Sequence, residues 1–195
     1  AGYLDRTAMI SFTPVKTITT GEEAVVTTAD ADLAHRMRLL RNHGMSRPYH
    51  HEIVGYNWRL SELQAAMGVC QMDRLDAILA TKAANAATLA ELLADVPGVE
   101  LPTVAPDRTH PYTIYTLKLP VGVRDRAEAA LDAADIETRR YFPPAHREPA
   151  FVDAAPDELP VTDELDRRLL SIPFHARVTA DDLAEIADIV RRTLT

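Results

Sequence analysis

Apolar residues along this chain follow two rhythms, and the change from one to the other marks its elements. From Met9 to Thr28 the chain is rich in Ile, Val, Thr and Phe, interrupted by Pro14 and Gly21. That pattern predicts two short strands around a turn. The period then lengthens. Asp30 stands as an N-cap before Leu33, Met37 and Leu40 at i, i+4 and i+7, with Gly44 just past the end, so a helix of about three turns is expected. A polar loop rich in aromatic and histidine residues fills 44–60. Ser61 and Gln64 fit a reciprocal capping box, and Leu63, Met67, Cys70, Ile78, Leu79, Leu89 and Leu92 keep helical spacing to Leu93. A helix of that length is expected to bend, break near Asp73, or bridge two domains. Its apolar face would place Cys70 in a packed core.

Val96-Pro97-Gly98 closes that helix, and a proline-containing segment runs to Pro111. A domain boundary is therefore expected at 98/99, giving units 1–98 and 99–195. Beyond it, Tyr112–Leu119 alternates like a strand, Arg124–Ala134 reads as a helix, and Ile136–Phe142 reads as a second strand. Another helix is expected over about 162–170. A last one begins near Ala180, capped by Thr179, with Leu183, Ile186 and Val190 on one face. The second half thus reads as a small α+β unit.

The 195 residues suffice for one large domain or two small ones, and 47% hydrophobic with 26% charged content is globular. With 21 basic against 29 acidic residues the formal charge is −8. A chain this acidic lacks the basic footprint that nucleic-acid binding needs. The lone Cys70 excludes an intrachain disulfide or a cysteine-built zinc site. No apolar run approaches the roughly 18 residues of a membrane span, and Ala1–Arg6 has no signal-peptide character, so no membrane partner and a cytoplasmic location are expected.

Common nucleotide fingerprints are missing, and so is a nucleophile elbow. His50-His51 has no third ligand at useful spacing, so no metal is expected. More informative is the use of lysine: only Lys16, Lys82 and Lys118 occur among 21 basic residues. Lys16 lies in Ser11-Phe12-Thr13-Pro14-Val15-Lys16-Thr17-Ile18-Thr19-Thr20-Gly21-Glu22, between apolar residues at a strand-to-turn junction. A lysine there can be desolvated toward its nucleophilic neutral form. Together with a hydroxyl five residues upstream it suits pyridoxal phosphate, whose aldehyde and phosphate arm are neighbours on one ring. Spacing alone equally fits an edge-strand lysine.

The same segment resembles the S-F-x-P-x-K-x-x-x-x-G-E signature of the DegT/DnrJ/EryC1/StrS family of pyridoxal-phosphate-dependent sugar aminotransferases. Arg38-Leu39-Leu40-Arg41-Asn42-His43-Gly44 is similar to the family's R-L-L-R-N-H-G. Gly55-Tyr56-Asn57-Trp58-Arg59-Leu60-Ser61-Glu62-Leu63-Gln64-Ala65-Ala66 resembles its G-Y-N-[YW]-R-[ML]-S-E-L-Q-A-A. Tyr141-Phe142-Pro143-Pro144-Ala145-His146 and Leu170-Ser171-Ile172-Pro173-Phe174-His175 resemble its Y-x-P-x-x-H and L-S-[LI]-P-x-H segments.

The resemblance implies an α/β chain that is the C-terminal part of the fold type I aminotransferase fold, namely the rest of a large domain plus a small α+β domain. It implies pyridoxal 5'-phosphate as cofactor, with Lys16 as the Schiff-base lysine and proton carrier. Ser11 would hold the cofactor phosphate, and Asn57 would reach that phosphate in a neighbouring subunit of a homodimer with shared sites. Arg59, Tyr141 and His146 would line the substrate site. The implied reaction moves an amino group, from an amino-acid donor such as glutamate, to a keto-sugar nucleotide. Other cyclic-ketone acceptors, or a fragment that only dimerises, remain alternatives. Sister enzymes that dehydrate deoxysugars carry histidine at the Lys16 position. Two departures stand out: Glu23 and Ala24 replace the two glycines usual after G-E, and the family's chains are about twice as long. Lys16 is expected at the mouth of a cleft, with the Ser11 hydroxyl on the same side. The face bearing Leu63, Met67 and Cys70 is expected to be exposed and self-associating in this chain.

Overall fold

The computed structural model describes residues 7–151 and 158–194. Contacts divide the chain into two compact units, Ala1–Asp76 and Ala77–Thr195.

In the first unit β1 (Thr7–Ser11) pairs antiparallel with β2 (Ala24–Thr28), from Thr7 opposite Thr28 to Ser11 opposite Ala24. These are the two strands expected around a turn. The loop between them closes on itself: the Phe12 amide donates to Glu23 O at 2.9 Å, and the Thr20 amide donates to Phe12 O at 3.0 Å. Ile18 and Thr20 are buried beneath it. Helix α1 (Ala31–Arg41) starts where its cap predicts, with Asp30 accepting from the Asp32 and Leu33 amides. After Asn42 the chain turns through His43 and Gly44, at φ +57° and +73°, into the short pair β3 (Met45–Arg47) and β4 (His50–His51).

The return segment lies directly on the end of α1. The Tyr56 amide donates to Leu40 O at 2.7 Å, His43 N to Tyr56 O at 2.8 Å, and Trp58 N to Arg41 O at 2.9 Å. This closeness leaves no room for a side chain between the two backbones. A Cβ on Gly55 would sit 2.1 Å from Gly44 N, and one on Gly44 would sit 1.7 Å from Ile53 O. Helix α2 (Glu62–Met72) opens with the expected Ser61–Gln64 capping box, and the expected break falls between Met72 and Leu75, where α3 (Leu75–Leu93) begins.

Two expectations for α2 part company. No residue of this helix is buried, and Leu63 is 82% exposed. The exposed apolar face is therefore present. Cys70, expected in a core, is exposed on that helix, because the periodicity marks an apolar face without supplying anything to cover it.

The second unit holds most of the core. α3 contributes Ala86, Leu89 and Leu93; β5 (Tyr115–Lys118) contributes Tyr115 and Leu117; α4 (Arg124–Asp132) contributes Ala127 and Leu131. Helix α6 (Ala180–Arg192) adds Leu183, Ile186, Ala187, Ile189 and Val190 behind its Thr179–Asp182 capping box. Two sequence expectations are corrected here. The helix expected over 162–170 is α5 (Pro160–Asp166), and Leu169–Ile172 is instead strand β6, antiparallel to β5. A short apolar run buried on both sides carries no periodicity to separate helix from strand. Nor is Ile136–Phe142 a strand; only Arg139 pairs, exchanging both main-chain hydrogen bonds with Ser171 at 2.9 and 2.8 Å. Pro143 and Pro144 remove the donors that a longer ladder needs.

The Lys16 loop ends on Glu23 at φ +102°, a conformation that L side chains rarely adopt and glycine adopts freely. Glu23 occupies the first of the two positions where the family resemblance leads one to expect glycine. Glu23→Gly is expected to stabilise the protein by about 0.5–1 kcal/mol through relief of that strain. Gly55→Ala is expected to destabilise it toward the upper end of about 1–3 kcal/mol, since its neighbour is rigid backbone. Urea unfolding midpoints of the two variants check both signs.

Candidate active site

Lys16 sits at the outer turn of the closed loop between β1 and β2, its amide donating to Thr13 O at 3.0 Å. The side chain is exposed, and among the described residues its amine has no hydrogen-bond or ionic partner. Ser11 lies half-buried at the end of β1. Its Oγ contacts Thr13 Oγ1 at 3.3 Å and accepts from the Thr13 amide at 3.4 Å. Thr19 steadies the other arm, its hydroxyl donating to Phe12 O at 2.8 Å and accepting from the Gly21 amide at 2.9 Å. An amine with no competing anion and two hydroxyls are thus carried on one loop with a fixed backbone. The three cavities described below are lined by neither Lys16 nor Ser11.

Asn57 and Arg59 form a second group, placed by the segment that lies on the end of α1. In an extended segment alternate side chains point to opposite faces. Tyr56 and Trp58 stack on each other, ring centroids 4.2 Å apart and nearly parallel. Asn57 and Arg59 pair instead, with Arg59 Nε donating to Asn57 Oδ1 at 3.0 Å and Nη1 to Asn42 Oδ1 at 3.4 Å. Asn57 and Asn42 also bridge through the backbone. With its Oδ1 taken by Arg59, Asn57 keeps its amide donors for an acceptor. Beside Arg59 opens a cavity of about 450 Å³, lined also by His35, Arg38, Arg41, Asn42 and Ser46. Among the described residues no hydrogen bond or ion pair links Asn57 or Arg59 to the Lys16 loop.

Tyr141 and His146 belong to the second unit. Tyr141 is half-buried and meets Phe142 edge-on at 4.9 Å. It lines a small cavity of about 180 Å³ with Arg140, Phe142, Pro144, Leu165 and Asp166. The third cavity, about 780 Å³, is bounded by Asp125, Glu128, Asp132 and Glu137 together with Arg139 and Arg140. His146 is buried, its Nε2 3.0 Å from Asp163 Oδ1. Burial of Asp163 would raise its pKa, but the Leu159 amide, the Arg147 charge and the His146 hydrogen bond outweigh that and hold the carboxyl below its usual range. Nε2–H of His146 therefore donates to an anionic carboxylate, which fixes the ring, while Nδ1 is buried without a partner. Sequence reasoning passed over two residues here. Asn42 stands inside a motif already noted, and its position at the end of a helix was the available signal. Asp163 had none, since its pairing with His146 spans 17 residues.

The sequence model of the DegT/DnrJ/EryC1/StrS aminotransferase family matches residues 1–191. GDP-perosamine synthase of Caulobacter vibrioides is 38% identical over 95% of this chain and 52% of its own length. The dTDP-3-amino-3,4,6-trideoxy-alpha-D-glucose transaminase of Streptomyces venezuelae is 36% identical over 94% of this chain and 49% of its own. Among solved structures, S. venezuelae DesV in complex with a ketimine intermediate superposes with a TM-score of 0.92 at 34% identity, covering all of this chain and 53% of that one. The chain spans about half the length of the curated relatives it matches. Its mixed α/β architecture is accordingly part of the fold of these sugar aminotransferases. No helix among the described residues is long and apolar enough to cross a membrane. The chain belongs to the DegT/DnrJ/EryC1/StrS aminotransferase family.

Proposed function

We propose that the protein carrying this chain transfers an amino group from glutamate to a keto-sugar nucleotide, with pyridoxal phosphate as cofactor. Lys16 carries the reading: an exposed amine without an ionic partner, on a loop whose backbone is closed at both ends. Residues 1–98 then complete the large domain of the family fold, and 99–195 form the small one. The relatives' names refer to GDP- and dTDP-linked sugars, and that substrate class is adopted here.

The residues present fit the cofactor. Among the described residues the Ser11 and Thr13 hydroxyls contact only each other and one amide, at long distances, so both can turn to a phosphate oxygen. When bound, pyridoxal phosphate supplies an electron-withdrawing ring that accepts the electron pair left as the substrate C–H bond breaks. Lys16 would hold the cofactor through its amine and, with that amine free, would carry the proton from the substrate carbon to a neighbouring carbon. Ser11 anchors the phosphate arm. Asn57, exposed and with its amide donors free, anchors the phosphate of a second subunit in a homodimer, and Arg59 beside it faces the substrate's anionic end. Tyr141 and His146 bound the sugar, His146 in the orientation that Asp163 imposes.

Lys16→Ala is expected to abolish the cofactor's absorbance shift on binding and to reduce amino transfer by several orders of magnitude. Lys16→Arg should fail equally, because arginine stays protonated and cannot add to the aldehyde. Asn57→Ala should only weaken cofactor retention, by about 1.5–3 kcal/mol for one hydrogen bond to a charged group, with turnover returning at saturating cofactor. Cofactor titrations followed by absorbance, with steady-state rates, separate the two classes. Full activity in Lys16→Ala would refute the assignment.

A further inference from the structure

Helix α2 rests on the first unit along a face that its apolar pattern does not announce. Gln64, Ala65, Gly68 and Gln71 are its half-buried residues, and the others are exposed. They recur at i, i+1, i+4 and i+7, so they share one side of the helix. On that side stands Gly68, the one glycine inside a helix among the described residues. Alanine would suit a helix interior better. Gly68 is not among the glycines with positive φ, so its backbone conformation does not call for glycine. Space does call for it. A Cβ on Gly68 would lie 3.1 Å from Thr20 Cγ2, against about 3.5–4.0 Å for carbons in unstrained contact.

Thr20 has little freedom to give way. It is buried, its amide donates to Phe12 O at 3.0 Å, and its hydroxyl donates to Glu22 O at 2.5 Å. One residue thus ties the incoming arm of the Lys16 loop to the outgoing arm, and its methyl meets α2 at Gly68. Phe12 O also accepts from the Thr19 hydroxyl at 2.8 Å, and Lys16 N donates to Thr13 O at 3.0 Å. A displacement of Thr20 is therefore passed to Phe12, and from there to the arm that carries Ser11 and Lys16.

We infer that Gly68 is a positioning residue for Lys16. Lacking a Cβ, it lets Thr20 settle on α2, and the seated loop presents Lys16 and Ser11 to the cofactor. That role rests on the function proposed above for Lys16.

The test uses the whole protein and three variants, Gly68→Ala, Thr20→Ser and the two combined. Serine keeps the hydroxyl that bonds Glu22 and lacks the methyl that a Cβ on residue 68 would meet. Gly68→Ala favours the helix, yet it should weaken pyridoxal-phosphate binding about tenfold or more, as overpacking against a fixed neighbour does. It should also shift the absorbance maximum of the bound cofactor and speed hydrogen exchange at the Phe12 and Thr20 amides of cofactor-free protein. In the combined variant the absorbance and the exchange should recover, and affinity should return to within about threefold of Thr20→Ser alone. A loss of helix or fold stability would not be reversed by taking one methyl from the loop. Unchanged cofactor binding in Gly68→Ala, or a loss that Thr20→Ser does not reverse, would overturn the inference. The assignment of Lys16 fails separately: it falls if the cofactor's absorbance shift persists in Lys16→Ala, whereas rescued exchange in cofactor-free protein would still show Thr20 seated on Gly68.

Discussion

Two glycines pressed backbone to backbone set the geometry of the first unit. Gly44 and Gly55 approach so closely that a Cβ on either would meet main-chain atoms at 1.7–2.1 Å. That approach lets the segment after Ile53 donate two main-chain hydrogen bonds to the last carbonyls of α1 and accept one from His43 just beyond it. It fixes which way residues 56–59 face: the Tyr56–Trp58 stack to one side, Asn57 and Arg59 to the other. The polar pair meets Asn42, and the cationic lining of α1 lies beside it. Every functional role proposed for this half of the unit depends on that contact, because the side chains involved are exposed and have little packing of their own to hold them.

A second constraint works in the same way at Lys16. Its loop is closed by Phe12 bonding across to Glu23 and Thr20, with Ile18 and Thr20 buried below. Rigid backbone beneath an unpartnered amine is the feature that distinguishes Lys16 from Lys82, which is buried on α3 and whose pKa is lowered by burial, and from Lys118, which is paired with Glu100 at 3.1 Å. Of the three lysines only Lys16 is both exposed and, among the described residues, without a side-chain partner. Glu23 closes the loop at a positive φ, a strained conformation for a residue other than glycine.

Much of this was legible in the sequence, and the failures have physical causes. Caps and breaks written in local chemistry were readable: Asp30, the Ser61–Gln64 and Thr179 boxes, and the interruption near Asp73 all fall where expected. The motifs around Lys16 and Asn57 were readable because consecutive residues carry them. Leu169–Ile172 was misassigned since a strand whose consecutive residues Leu170–Ile172 are all buried has no alternation to display. Cys70 was misplaced because periodicity identifies an apolar face without saying whether anything covers it. The Asn42–Arg59 and His146–Asp163 contacts join residues 17 apart, and no local pattern announces such pairs.

The proposed function divides the labour: Lys16 and Ser11 would serve one subunit's site, while Asn57 and Arg59 would serve that of a neighbour. Mixing two inactive forms of the whole protein tests this most directly. One chain carries Lys16→Ala and the other Asn57→Asp, which replaces a phosphate donor by a repelling carboxylate. If sites are shared in a homodimer, equal mixing after dissociation and reassociation restores one intact site in each mixed dimer, about a quarter of wild-type activity. If both residues serve the site of their own chain, the same proportion of mixed dimers forms but every site contains a defect, and activity stays at the level of the separate variants. That second result would contradict the account.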